Sequence, residues 1–392
     1  MQRILFVYHV STVGGGSYCL LNLLKAINRK YFEPIVLLPK KGPLCVEISN
    51  LGIEIVYLPS LALYPYNKSI FNFKTIQRIK QVHDCMEDFS NTIKSIKPDI
   101  VYFNSMMLFP FLRLAKENRC KTVLHVREHW PHDEHIIQLG RIRKEVYAYT
   151  DKLIAINHYS ASIFPEISST LVYDWIDMTS RKGGSTLQSI LKDSNFNGNT
   201  YLYTGGIQKI KGAHEVIKTF SENIKGGNKR LIALGLDVKL EMSGLKGIVK
   251  IILSKLGYKT YSERVLNLCK NDKRIICIPA EYNITDLLEN VTGLVSFFTI
   301  PHANLALAES IILQTPAIAA RTSESLEYSN DGELAILYEL GDIEAFKDAW
   351  LELDSNYSNL QDRLKDRSYI IADKFNIDNN AKTFNDALLT LV

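Results

Sequence analysis

At 392 residues the chain is about 2.6 times an ordinary ~150-residue domain, so two domains of similar size are expected. Its 46% hydrophobic and 22% charged residues leave no room for a disordered, collagen-like or coiled-coil protein. With 46 Lys and Arg against 42 Asp and Glu, the net charge of +4 is too small for a protein that wraps nucleic acid.

Met1-Gln2-Arg3 leads straight into Ile4-Leu5-Phe6-Val7-Tyr8, a first strand rather than the head of a signal peptide. No stretch approaches the ~18 apolar residues that span a bilayer. Short apolar runs near 4–10, 34–39, 54–59, 99–104, 121–126, 152–157 and 169–174 read as strands, each followed by a helical period. Leu20, Leu21, Leu23, Leu24 and Ile27 form one buried helical stripe between the first two. The polar, glycine-marked stretch 179–185 reads as an interdomain connection. The pattern then restarts, with strands near 201–206, 230–235, 274–280, 292–299, 315–320 and 333–338. These alternating units predict an α/β protein of two Rossmann-like, doubly wound domains, 1–178 and 179–370, facing across a cleft. Residues 371–392 are expected to form a C-terminal helix that returns to the first domain. The six cysteines show neither a C-x-x-C pair nor zinc spacing, which fits a reducing, cytoplasmic setting.

Charge divides unevenly. Residues 1–178 hold 21 Lys and Arg against 16 Asp and Glu, a balance of +5, whereas 179–392 hold 25 against 26. Much of the surplus lies on 68–97, where Lys68, Lys74, Arg78, Lys80, Lys94 and Lys97 interleave with Ile70, Phe71, Phe73, Ile76 and Ile79. Such a surface either rests on anionic lipid headgroups or is a solvated helix whose apolar face is core. Residues 245–262 repeat the mixture, with Lys246, Lys250, Lys255 and Lys259 among leucines and isoleucines, as a lid, a membrane contact or a core-packed helix.

Four stretches can carry chemistry. Gly14-Gly15-Gly16, between the first strand and the first helix, lets backbone amides approach an anion. It is not a dinucleotide fingerprint: the third glycine position is Cys19, and the second strand ends in Leu38-Pro39-Lys40-Lys41 without an acidic residue for a ribose. No G-x-x-x-x-G-K-[ST] sequence is present either. The second stretch, Gly205-Gly206-Ile207-Gln208-Lys209-Ile210-Lys211-Gly212, places two lysines on a strand-to-helix loop, where they can neutralise a diphosphate. The third, Pro301-His302-Ala303-Asn304 through Glu309 to Pro316, sets a carboxylate on an apolar helix, which is costly without a hydrogen-bond partner. The fourth, Leu124-His125-Val126-Arg127-Glu128-His129-Trp130, leaves the fifth strand. There Arg127 can compensate the charge of a leaving diphosphate, and Glu128 or His129 can accept a proton or fix a hydroxyl, unless the pair merely bridges the domains.

These stretches, with Lys97-Pro98-Asp99-Ile100-Val101, Glu327 to Gly332 and Gly341-Asp342, resemble in order and spacing the GT-B glycosyltransferases, specifically retaining glycosyltransferase family four. The resemblance covers nearly the whole chain. It implies transfer of a sugar from a nucleotide-sugar donor, as UDP or GDP, to an acceptor hydroxyl, with no metal and no bound cofactor. Gly15, Gly16, Gly205 and Gly206 would line the donor, Lys209 and Lys211 would meet its diphosphate, and Glu309 would hold the ribose. The family's first glutamate falls at Pro301, where His302 or Asn304 would substitute. The family arginine falls at Gly206, and the glycine before the proline falls at Gln314. A lipid-linked or oligosaccharide acceptor in surface-polysaccharide assembly follows from the same resemblance, with the protein peripheral at the inner membrane face. The alternatives are a nucleotide-sugar 2-epimerase of the same fold and a catalytically inactive binding subunit.

Overall fold

The apolar runs of the first half form a seven-stranded parallel sheet: β1 Gln2–Val7, β2 Phe32–Leu38, β3 Glu54–Tyr57, β4 Ile100–Phe103, β5 Lys121–Val126, β6 Lys152–Ala155 and β7 Ser169–Leu171. The computed structural model describes residues 1–392 except 13, 66–72, 131–135, 177–195, 237–259 and 281–283. Its order is β3-β2-β1-β4-β5-β6-β7, so the chain reverses direction across the sheet between β1 and β4. That reversal is where open α/β sheets bind ligands, at the carboxyl ends of the strands. Both sheet faces are covered, which is why the strands are apolar throughout. Side chains alternate along a strand. Leu5 and Val7 therefore join one cluster with Val101, Phe103 and the helix Phe73–Ile96, while Ile4 and Phe6 join the other with Tyr102 and the helix Gly15–Ala26.

The second cluster also contains Phe384 and Leu388 from the helix Ile377–Leu389, at the far end of the sequence. The first unit is accordingly Met1–Ile176 together with Phe375–Val392, and the second is Asp177–Lys374. Asn385 fixes the returning helix: its Nδ2 donates to Ala26 O at 2.9 Å and its Oδ1 accepts from Asn28 N at 2.8 Å. Asn380 Oδ1 likewise accepts from Tyr173 N at 2.9 Å. Asn385→Ala removes both ties to the end of the Gly15–Ala26 helix. It is expected to cost about 1–2 kcal/mol of stability in urea unfolding.

The second unit carries a six-stranded parallel sheet: β8 Asn199–Tyr203, β9 Lys229–Leu234, β10 Ile275–Ile278, β11 Gly293–Val295, β12 Ala317–Ala320 and β13 Ile336–Tyr338. The order β10-β9-β8-β11-β12-β13 places its reversal between β8 and β11. Its core is aromatic, with Phe346 packed against Trp350 (centroids 5.5 Å apart) and against Phe297 (5.1 Å). Helices of eight or more residues here include Ala213–Asn223, Tyr261–Asn271, Leu305–Ile312 and Ile343–Arg367.

Each apolar run expected to be a strand is one, but several stop earlier than the run does. β1 ends at Val7, β8 at Tyr203 and β11 at Val295. Phe297 and Phe298 are buried without belonging to the ladder, because Phe297 packs over Gly212 and the following Thr299 N donates to Ile210 O at 3.0 Å. The connection 179–185, and Lys68, Ile70 and Phe71, lie outside the described residues. Of 245–262 only 260–262 are described, where Thr260 caps the helix Tyr261–Asn271 through a capping box with Glu263. Among the described residues no helix is long and apolar enough to cross a membrane.

Candidate functional site

In the second unit two loops meet at the carboxyl ends of the neighbouring strands β8 and β11. The loop after β8 is fixed by Tyr203, whose hydroxyl lies 3.0 Å from Gly206 O and 2.9 Å from Lys211 O. That rigid ring leaves no room at position 205: a Cβ on Gly205 would lie 2.2 Å from the Tyr203 hydroxyl. Gly206 (φ +62°) and Gly212 (φ +61°) are both left-handed, and a Cβ on Gly212 would also strike Phe297 at 2.3 Å. An arginine at 206, as the family resemblance implies, would be strained; glycine is what the backbone takes. Thr299 ties the two loops together through Ile210 O.

Lys211 is half-buried and Lys209 is exposed. Burial pushes the Lys211 ammonium below its ordinary pKa, and among the described residues no carboxylate lies within ion-pair distance of it. Amides contribute less than the sequence implies. Lys211 N and Gly212 N are spent on Gln208 O and Lys209 O, and the Tyr261 hydroxyl accepts from His214 N at 3.0 Å in the first turn of the next helix. The cation, not the backbone, is what this loop offers an anion.

Glu309 lies on the helix Leu305–Ile312, preceded by the apolar run Leu305-Ala306-Leu307-Ala308 and followed by Ser310. Its side chain is half-buried, and among the described residues nothing donates a hydrogen bond to it. Burial raises its pKa from 4.5 to about 7. Asn304 is buried and serves the scaffold: its Nδ2 donates to Ser296 Oγ at 3.0 Å, anchoring the start of this helix to the loop after β11. His302 packs edge-on against Phe298, with ring centroids 5.6 Å apart. Gln314, where the resemblance implies glycine, has φ +58°, the left-handed backbone that favours glycine.

In the first unit, Gly14 is extended and precedes the helix Gly15–Ala26, with no side chain capping its first turn. A Cβ on Gly16 would meet the Tyr8 hydroxyl at 2.9 Å, whereas Gly14 and Gly15 border open space. Ser17 Oγ donates to Thr12 O at 2.7 Å and holds the turn. The opening amides are thus presented to an anion.

The cluster after β5 is built differently from its expected role. Glu128 accepts from Met106 N at 2.9 Å, from Arg127 N at 3.0 Å and from the Ser105 hydroxyl. Its carboxylate thereby caps the start of the 3₁₀ turn Met106–Phe111. Arg127 Nη2 is paired with Asp174 Oδ2 at 2.6 Å, their side chains only 11% and 13% exposed. Burial disfavours the guanidinium, but Asp174 more than restores it, so Arg127 stays charged with its charge already balanced. His129 stacks flat on Tyr159, with ring centroids 3.9 Å apart.

Sequence reasoning passed over a second set of groups. At the carboxyl ends of β1 and β4, His9 Nδ1, Ser11 Oγ and both side-chain polar atoms of Asn104 are buried with no hydrogen-bond partner among the described residues. His125 Nε2 on β5 is likewise unpartnered, while its Nδ1 and the Tyr102 hydroxyl are 2.7 Å apart. Buried polar groups without partners are rare, and a cluster of them at a strand-order reversal marks a place for a ligand. The available signal was that His9, Ser11 and Asn104 are the polar residues directly after the two central apolar runs.

No protein-family model matches the chain, and no curated protein matches it in sequence. Solved structures do match it in shape. HepE of Anabaena, in complex with UDP and glucose, superposes with a TM-score of 0.73 at 14% identity over 99% of each chain. Sucrose-phosphate synthase of Thermosynechococcus elongatus gives 0.69 at 12% identity, over 100% of this chain and 99% of that one. The S. aureus MnaA–UDP structure gives 0.60 at 14% identity, over 93% and 91%. With its two Rossmann-like units of seven and six parallel strands, the chain has the GT-B fold.

Proposed function

We propose that the chain is a retaining glycosyltransferase that moves a sugar from a UDP-sugar to an acceptor hydroxyl. One observation carries the reading: Lys211, in the loop after β8, and Glu309, on the helix that follows β11, are a half-buried cation and a half-buried carboxylate with no side-chain partner among the described residues. A buried charge left unpaired is costly, and a nucleoside diphosphate satisfies both, its phosphates at Lys211 and its ribose hydroxyls at Glu309. The UDP form is favoured by the HepE and MnaA structures, both of which contain UDP.

Chemistry then rests on positioning and on stabilising the departing diphosphate, with the charge carried by Lys211. His302 is assigned to the donor sugar. No metal or bound cofactor has a part in this scheme. The acceptor is a lipid-linked glycan and the protein works at the inner membrane face. In support, Phe73 is 79% and Ile76 54% exposed beside Lys74 and Lys80 on one helix.

The test is incubation of the purified protein with a panel of UDP-sugars, followed by product analysis. Release of UDP that depends on an added acceptor, with the anomeric configuration kept, supports the reading. The MnaA likeness favours a second reading, and conversion of a donor alone into its 2-epimer would establish it. Flotation with anionic vesicles should capture the protein at low salt and release it as salt rises, and capture indifferent to anionic lipid contradicts the membrane assignment.

A further inference from the structure

A cavity of about 460 Å³ opens in the first unit, and its walls are of two kinds. Leu61, Tyr64 and Met107 supply an apolar wall, kept in place by Tyr64 N donating to Met107 O at 3.1 Å and by Tyr64 packing on Phe109. Lys74 and Arg78 face it from the first turns of the helix Phe73–Ile96, four residues apart and so on one side of that helix. His9, just past β1, completes the lining, and its Nδ1 is one of the buried atoms left without a partner.

Among the described residues no Asp or Glu lines the cavity, and the charged side chains of its wall are both cations. Among the described residues Arg78 has no ion pair. Burial pushes His9 down to about 4, which leaves a neutral imidazole at neutral pH, able to hydrogen-bond a hydroxyl without adding charge. The volume suits a ligand the size of a sugar with a short extension. Cations on one wall and apolar side chains on the other fit a molecule with a phosphate ester next to an apolar or sugar body; arginine holds phosphate through paired N–H donors.

We propose that this cavity receives the acceptor substrate, and that the acceptor carries a phosphate ester which Arg78 and Lys74 bind while His9 contacts a hydroxyl. The proposal rests on the transferase reading above, because it takes the cavity's ligand to be the second substrate. Two sources share this chemistry: a lipid whose phosphate links it to a glycan, and a soluble sugar phosphate.

Calorimetry on the full chain distinguishes them, with decyl phosphate, glucose 1-phosphate and the uncharged decyl glucoside as probes. Binding of a phosphate probe that weakens at least tenfold in Arg78→Glu, and falls as salt rises, supports the cavity. Decyl phosphate alone binding points to the lipid source, and equal binding of glucose 1-phosphate to the soluble one. Arg78 is exposed, so the substituted chain should melt like the wild type. Phosphate binding unchanged by Arg78→Glu, or binding of UDP but of neither phosphate probe, overturns the proposal. Phosphate binding lost with Arg78 while UDP fails to bind keeps the anion site and removes the transferase reading.

Discussion

Asp174→Ala should destabilise the first unit by about 3–5 kcal/mol in urea unfolding, because it strands the Arg127 guanidinium in the interior. The pair is nearly buried, and Arg127 Nη1 already lacks a partner among the described residues. Asp174 therefore supplies the compensation that keeps the charge tolerable. Tyr8, Tyr102 and Cys19 crowd the same place, each with burial raising its pKa. None of them is an anion at neutral pH that could replace Asp174. Removing both charges together, as Arg127→Met/Asp174→Leu, should recover most of the loss, since apolar replacement of a buried ion pair is often near neutral. A double variant that folds and still binds UDP supports a structural role for Arg127. One that folds but loses UDP returns Arg127 to the donor site.

Glu309→Gln should raise thermal stability above pH 7 while weakening UDP binding by about tenfold or more. The two effects have one cause. In the free protein, burial lifts the carboxyl from 4.5 to about 7, so the folded state holds a proton that the unfolded state releases. A raised carboxyl pKa contributes stability that is fully present below about pH 4.5 and is lost as pH climbs to about 7. At about 1.4 kcal/mol for each tenfold change in acidity, the ionised carboxylate costs the fold about 3 kcal/mol above pH 7. Glutamine does not ionise, so the variant's melting point should exceed that of the wild type by several degrees at pH 8 and converge with it near pH 5. A charged acceptor for ribose hydroxyls is stronger than a neutral amide, so the same change weakens the nucleotide complex. Wild-type affinity for UDP should itself fall as pH drops below about 7 and Glu309 takes up its proton.

The strands were legible because a parallel sheet covered on both faces imposes unbroken apolar runs, as at Ile4–Val7 and Ile35–Leu38. Their ends were less so. Phe297 and Phe298 continue the apolar run past β11, but they are buried by contact with the neighbouring loop instead of by strand pairing. Lys211 stood out as a charge on a loop between apolar elements, and Glu309 as a charge on an apolar helix. Glu128 was conspicuous for the same reason and serves a different purpose. Two of its three donors, Ser105 and Met106, are more than twenty residues away in sequence and become neighbours only when β4 and β5 pair. Asn104 and His9 went unnoticed because an isolated polar residue after a strand is ordinary in sequence, and only burial without a partner distinguishes it.

In the proposed function the second unit grips a nucleoside diphosphate through Lys211 and Glu309. Isothermal titration of UDP into the wild type, Lys211→Ala and Glu309→Gln at pH 8 tests it most directly. Saturable binding by the wild type that falls at least tenfold in each variant, with both variants folded by thermal melting, is the predicted result. UDP affinity unchanged in both folded variants would contradict it.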